Sequence, residues 1–294
     1  MTPAPATTAA VGWALDPVPL AGIALLALGY GWRVRALARR GRAPAPWRRL
    51  CFYAGIVVLV LALVSPLDTA GESRVFYLHM AQHLLIGDIA PLLIVVGLSG
   101  PVLRPLLAGL PVGRLRRLAS PLVALPLWVL VFYSWHLPVL YEAALEDRAL
   151  HALEHALFFA AGLAMWAAVI EPLPGPAWFG SGAKAAYVLL VRTLAATLAS
   201  VFIWAGHPFY PGYAAGERLW GISPLADQQI GGAIMFVEGG LVTLVVFAWL
   251  FLRWTTEAEL RQSLLDAGAD PRAATRAARY GRRALAPPAP PPSP

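Results

Sequence analysis

Apolar residues run along this chain in seven long blocks, at 17–36, 50–64, 74–97, 121–141, 149–170, 184–205 and 229–253, and the connections between them hold most of the charge. A helix needs roughly 20 residues at ~1.5 Å each to cross a bilayer, and most of the blocks are about that long. The pattern predicts an all-α polytopic membrane protein with seven transmembrane helices. The second block is short and stops at Ser65 and Pro66, because proline and the residue before it disfavour helix continuation. Pro91, in the third, frees the carbonyl of Gly87 and predicts a kink there.

The connections alternate in charge. Arg39, Arg40, Arg42, Arg48 and Arg49 follow the first block; Arg104, Arg114, Arg116 and Arg117 follow the third; Arg261, Arg272, Arg276, Arg279, Arg282 and Arg283 lie in the tail. The other connections hold Arg74, Arg148 and Arg218 among acidic residues that include Asp16, Asp68, Glu146, Glu217 and Asp227. By the positive-inside rule the N-terminus is expected outside and the C-terminus in the cytoplasm. Residues 1–16 then form a periplasmic segment, 17–253 one membrane domain, and 254–294 a cytoplasmic tail. The tail's Pro-rich end, ALAPPAPPPSP, has too little apolar surface to build a core. Residues 1–16 hold no Lys or Arg, so the first block is expected to stay as an anchor and not be cleaved as a signal peptide.

Composition excludes a soluble domain: 59% of side chains are hydrophobic and 13% charged, with a mean hydropathy of +0.63. A net charge of +7 is accounted for by topology, so no nucleic-acid partner is expected. Cys51 is the only cysteine, which rules out an internal disulfide and a CxxC site.

Ionisable groups inside apolar blocks need a reason, since each costs at least ~2.5 kcal/mol at the centre of a bilayer. His79 and His83 are four apart, hence on one helix face. His151 and His155 repeat the spacing two blocks later, with His136 near the outer end of the fourth block and His207 beyond the sixth. All six histidines fall on the expected outer side. Two such pairs at one depth offer four imidazoles, which suit Cu, Zn, Fe or Ni. Met80, three before His83, and Met235, three before Glu238, add thioethers that favour Cu(I) over Zn. Glu154 is either a ligand or the acceptor that orients an imidazole. Asp227 and Glu238 share a bearing on the seventh helix, where Glu238 is equally an interhelical hydrogen-bonder. Asp88 lies ~13 Å deeper than His79 by helix rise, so it is expected to pair with Arg192 as a structural ion pair and not join the ligands. Trp135, Tyr141, Trp204, Phe209, Tyr210, Tyr213 and Trp220 are interface anchors that can also roof an outward site.

These residues leave several functions open. A metal carrier uses both histidine pairs, and its affinity falls below pH ~6.5 as imidazoles protonate. A membrane zinc metallohydrolase would use HALEH, with His151 and His155 on zinc and Glu154 as base. A bis-histidine haem needs one imidazole from each of two helices and leaves the others unexplained.

The motifs HMAQHLL (79–85), WHLPVLYEAAL (135–145), HALEHALFF (151–159) and DQQIGGAIM (227–235), on seven spans with an outer N-terminus, resemble the CtaG-like cytochrome c oxidase assembly proteins. The resemblance runs from about the first helix to the seventh. It implies a bacterial inner-membrane assembly factor, not an enzyme, that helps supply copper to subunit I of the haem–copper oxidase, with a periplasmic copper chaperone as a further partner. By motif, His79, Met80, His83, His136, His151 and His155 carry over as the site.

Overall fold

The computed structural model describes residues 12–13, 15–73, 75–109, 120–215 and 221–281. Among them the chain is helical, without strands. The helices are α1 (Pro17–Ala38), α2 (Pro46–Val64), α3 (Pro66–Ser73), α4 (Phe76–Leu84), α5 (Ala90–Gly97), α6 (Gly100–Gly109), α7 (Pro121–Trp135), α8 (Pro138–Glu146), α9 (Arg148–Ile170), α10 (Ser181–Trp204), α11 (Pro224–Asp266) and α12 (Pro271–Tyr280). A π-helical turn, Leu85–Ile89, joins α4 to α5, and a 3-10 turn, Pro211–Ala215, lies between α10 and α11.

Local chemistry sets many of these boundaries. Asp16 accepts the N–H of Val18 at 3.0 Å ahead of Pro17, and Asp147 accepts those of Ala149 at 2.7 Å and Leu150 at 3.0 Å; both are N-caps. Proline is also the first residue of α2, α3, α7, α8, α11 and α12, where its missing N–H leaves no helical bond unmade.

Six spans are long and apolar enough to cross a bilayer: α1, α2, α4 with α5, α9, α10 and α11. The pair α7 and α8 makes a seventh if it is counted as one span, but the two helices meet at 70°. Leu25 and Leu28 of α1 and Leu244 and Val245 of α11 are exposed, which suits lipid tails as apolar as leucine itself. The chain is a multi-pass membrane protein.

Block 121–141 was expected as one helix and is two. Pro138 lacks the N–H that would bond Ser134, and Leu137 before it is extended (φ −69°, ψ 130°). The kink expected at Gly87 takes the form of the π turn. α11 runs unbroken past residue 253, the expected end of the membrane domain. The charges and aromatic placed at Arg74, Arg114, Arg116, Arg117, Glu217, Arg218, Trp220, Arg282 and Arg283, most of segment 1–16 and the Pro-rich end lie outside the described residues.

The helices gather into two compact units, residues 1–175 with 193–239, and residues 176–192 with 240–294. In the first, Tyr30 of α1 stacks on Phe52 of α2 at 3.7 Å, and its hydroxyl donates to the Gly97 carbonyl of α5 at 3.2 Å. A Cβ at Gly97 would lie 2.5 Å from Phe52 Cβ and 2.8 Å from the Arg48 carbonyl, so these helices touch backbone to backbone. Gly162 of α9 does the same for the π turn: a Cβ there would collide with the Gly87 carbonyl oxygen. In the second unit, Ser181 donates to Glu257 at 2.8 Å and Arg253 to the same carboxylate at 2.7 Å. Arg279 of α12 donates to the carbonyls of Pro176 at 3.0 Å and Phe179 at 2.6 Å.

Candidate metal centre

Two helices of the first unit bring four imidazoles together. α4 carries His79 and His83 one turn apart, and α9 carries His151 and His155 in its opening turns. The π turn resets the helix phase between α4 and α5, so the face of α5 with Ile94 meets Gly55 on α2 while His83 packs on Phe158 of α9 at 4.7 Å between ring centroids. One side-chain nitrogen from each of the four histidines lies within 4.8 Å of the others, and all four residues are buried.

The cluster has internal structure. His79 Nε2 is 2.8 Å from His83 Nε2, close enough for a single proton to lie between them. His79 Nδ1 is 2.7 Å from the Tyr213 hydroxyl, which is 2.8 Å from that of Tyr141. The ring centroids of His151 and His155 are 4.1 Å apart, and each lies 5.3 Å from one ring of the α4 pair. Glu154 is fully buried; its Oε1 lies 3.7 Å from His83 Nε2, and neither oxygen has a hydrogen-bond partner among the described residues. A buried carboxylate beside imidazoles with unbonded nitrogens at His83 Nδ1 and His155 Nε2 is the environment that a cation would complete. In tetrahedral coordination, bonds of ~2.05 Å set ligand atoms about 3.3 Å apart. Loading would therefore draw the widest pair in by ~1.5 Å and open the His79–His83 contact slightly, changes within reach of side-chain rotation.

His136 stands at the margin. It ends α7 at the break, where its Nδ1–H donates to the Phe132 carbonyl at 2.6 Å. That bond fixes the tautomer and leaves Nε2 a bare lone pair, buried and without a partner. Its ring is 6.4 Å from that of His83, and its carbonyl accepts the Tyr210 hydroxyl at 2.7 Å. Burial raises the pKa of the Tyr210 and Tyr213 hydroxyls, so both remain donors.

The remaining residues singled out in the sequence lie elsewhere. Met80 is buried with its Cγ facing Gly231 of α11, where a Cβ would be 3.2 Å away; Met235 is one turn further along α11. Asp227 accepts the backbone N–H groups of Phe76 at 2.7 Å and Tyr77 at 2.9 Å. It thereby caps α4, whose own N-cap residue Val75 makes no side-chain bond. Glu238 is half-buried on α11, and His207 is exposed, its carbonyl accepting from Gln228 at 3.4 Å. Asp88 accepts the Trp166 Nε1–H at 2.7 Å, while Arg192 belongs to the second unit.

Gln82 was not singled out in the sequence, and Tyr213 was read as an interface aromatic able to roof the site, not as a hydrogen-bond partner of His79. Tyr213 arrives from a loop 134 positions after His79. Gln82 donates to the Ala62 carbonyl at 3.0 Å and to Asp68 at 2.6 Å, securing α4 to α2 and α3; a fully polar side chain between two histidines in an apolar helix was the available signal.

The profile of the cytochrome c oxidase caa3 assembly factor family matches residues 28–257. The uncharacterized protein Mb0105 of Mycobacterium bovis is 25% identical over 91% of this chain and 43% of its own length. The uncharacterized protein ML1998 of Mycobacterium leprae is 26% identical over 83% of this chain and 40% of its own. The chain thus spans about two fifths of the length of these curated relatives. No solved structure matches it.

Proposed function

The chain belongs to the cytochrome c oxidase caa3 assembly factor family, and from that premise we propose that it carries copper for the oxidase on His79, His83, His151 and His155. The ion is cargo: it is held by neutral imidazoles, with Glu154 balancing its charge, and passes within the membrane to the catalytic subunit. A periplasmic copper chaperone is the proposed donor, and the bacterial inner membrane, with the N-terminus outside, the proposed setting. An assembly factor of this kind binds and releases without making or breaking covalent bonds in a substrate.

The observation that carries the reading is the convergence of four buried imidazoles from two helices, with ligand atoms within 4.8 Å. Zinc is the second reading, because Met80 packs toward α11 and the nitrogen-rich cluster suits zinc as well as copper. Metal analysis of the purified chain, wild type beside a His79→Ala, His83→Ala double variant, tests both. Copper retained by the wild type and lost by the variant is the expected result. Zinc retained against Cu(I) competition favours the second reading, and neither metal bound after titration removes both.

A further inference from the structure

Aromatic rings pack on the α4 histidines and on His136 beside them. Tyr141 and Tyr213 pack on His79 at 5.3 and 6.5 Å between centroids, Phe158 packs on His83 at 4.7 Å, and Phe202 on His136 at 5.8 Å. A cavity of about 820 Å³ is lined by α1, α2, α3, the π turn, α8 and α9, and both His151 and His155 stand in its wall. His155 is only 8% exposed, and its Nε2 has no hydrogen-bond partner. The wall is apolar at Ile23, Leu59 and Phe159, and it also carries Asp16, Glu146, Arg148 and Asp68, the last already accepting from Gln82 at 2.6 Å.

We propose that this cavity is the chamber through which the cation reaches the histidines, with Asp16 and Glu146 gathering it and His151 and His155 in its wall receiving it. The inference rests on the metal reading above. Carboxylates set in low-dielectric walls concentrate field lines and raise the local density of cations. Arg148 is bound to Asp16 at 2.8 Å, but its side chain is 84% exposed, so the pair is screened and readily parted. An arriving cation can replace the guanidinium on Asp16.

Gly22 gives the means to test this. It lines the cavity, and a Cβ built on it meets nothing within 4 Å, so Gly22→Trp sets a bulky ring at the cavity wall with no clash at Cβ. Transfer of Cu(I) from a chromophoric chelator to the purified full chain is followed by stopped flow, giving a rate and an end-point stoichiometry. Gly22→Trp and the double variant Asp16→Asn, Glu146→Gln should each slow uptake about 10-fold at low salt. Both should reach the wild-type end point, and the defect of the carboxamide variant should shrink as salt is added. The carboxamide variant is the safeguard should the indole disturb folding, since Asn also caps α1 well. Wild-type rates in both variants, with full loading, would overturn the chamber while leaving the metal reading intact. A wild-type chain that takes up no copper at all overturns the reading itself, and the chamber with it.

Discussion

Tyr213 shows how far a single hydroxyl reaches into the cluster. It meets His79 Nδ1 at 2.7 Å, so when His79 Nε2 binds a cation, Nδ1 must keep the ring proton and donate it to the tyrosine oxygen. Such a partner fixes ring and tautomer together, and its loss commonly costs 10–100-fold in metal affinity. Tyr213→Phe is expected to weaken Cu(I) binding by about 10-fold or more at unchanged stoichiometry, read by competition with a chelator of known affinity. Unchanged affinity would show that His79 does not need this hydroxyl. The four clustered histidines could be found from sequence because spacing within one helix fixes a shared face. Tyr213 could be read as an interface aromatic and a lid over the site, but not as the partner of His79, since no local rule predicts where a loop 134 residues away will fold back. Asp227 shows the same limit: its sequence position gave only a bearing shared with Glu238, and packing assigned it to the first amides of α4.

At the scale of elements, glycine decides how close α9 comes to the helix that carries His79 and His83. A Cβ at Gly162 would strike the Gly87 carbonyl, the group that Pro91 leaves without its helical partner. Gly162→Ala is expected to destabilise the protein by ~1–3 kcal/mol, the usual cost of overpacking, and to lower its melting temperature in detergent. Gly239→Ala, where a Cβ meets nothing within 4 Å, should melt like the wild type. Equal melting of the two variants would deny the close approach. The kink at Gly87 was legible because proline's missing N–H acts locally; that it would become a π turn was not, since this depends on how α9 packs against it. The break before Pro138 obeyed the same rule, but the continuous apolar run around it hid the signal.

For the whole molecule, topology turns on whether α7 and α8 together cross the bilayer. If they do, the spans number seven and the termini lie on opposite sides; if they fold back, six spans return both termini to one side. Fusions of alkaline phosphatase and green fluorescent protein to each terminus separate the cases. The arginine-rich connections predict phosphatase activity at the N-terminus and fluorescence at the C-terminus; matching reporters at both ends would mean that the bent pair re-enters. Seven apolar blocks were readable because hydrophobic runs report burial in lipid directly, whereas the division into two units depends on contacts between distant segments. The clasp of Asp227 on α4 also bears on how the protein is made. A ribosome that has delivered residue 155 has supplied every proposed ligand, yet the amides of Phe76 and Tyr77 still await a side chain more than 70 residues downstream. The start of α4 is therefore left uncapped until α11 has been made, and the order of synthesis places this clasp among the last contacts of the first unit to form.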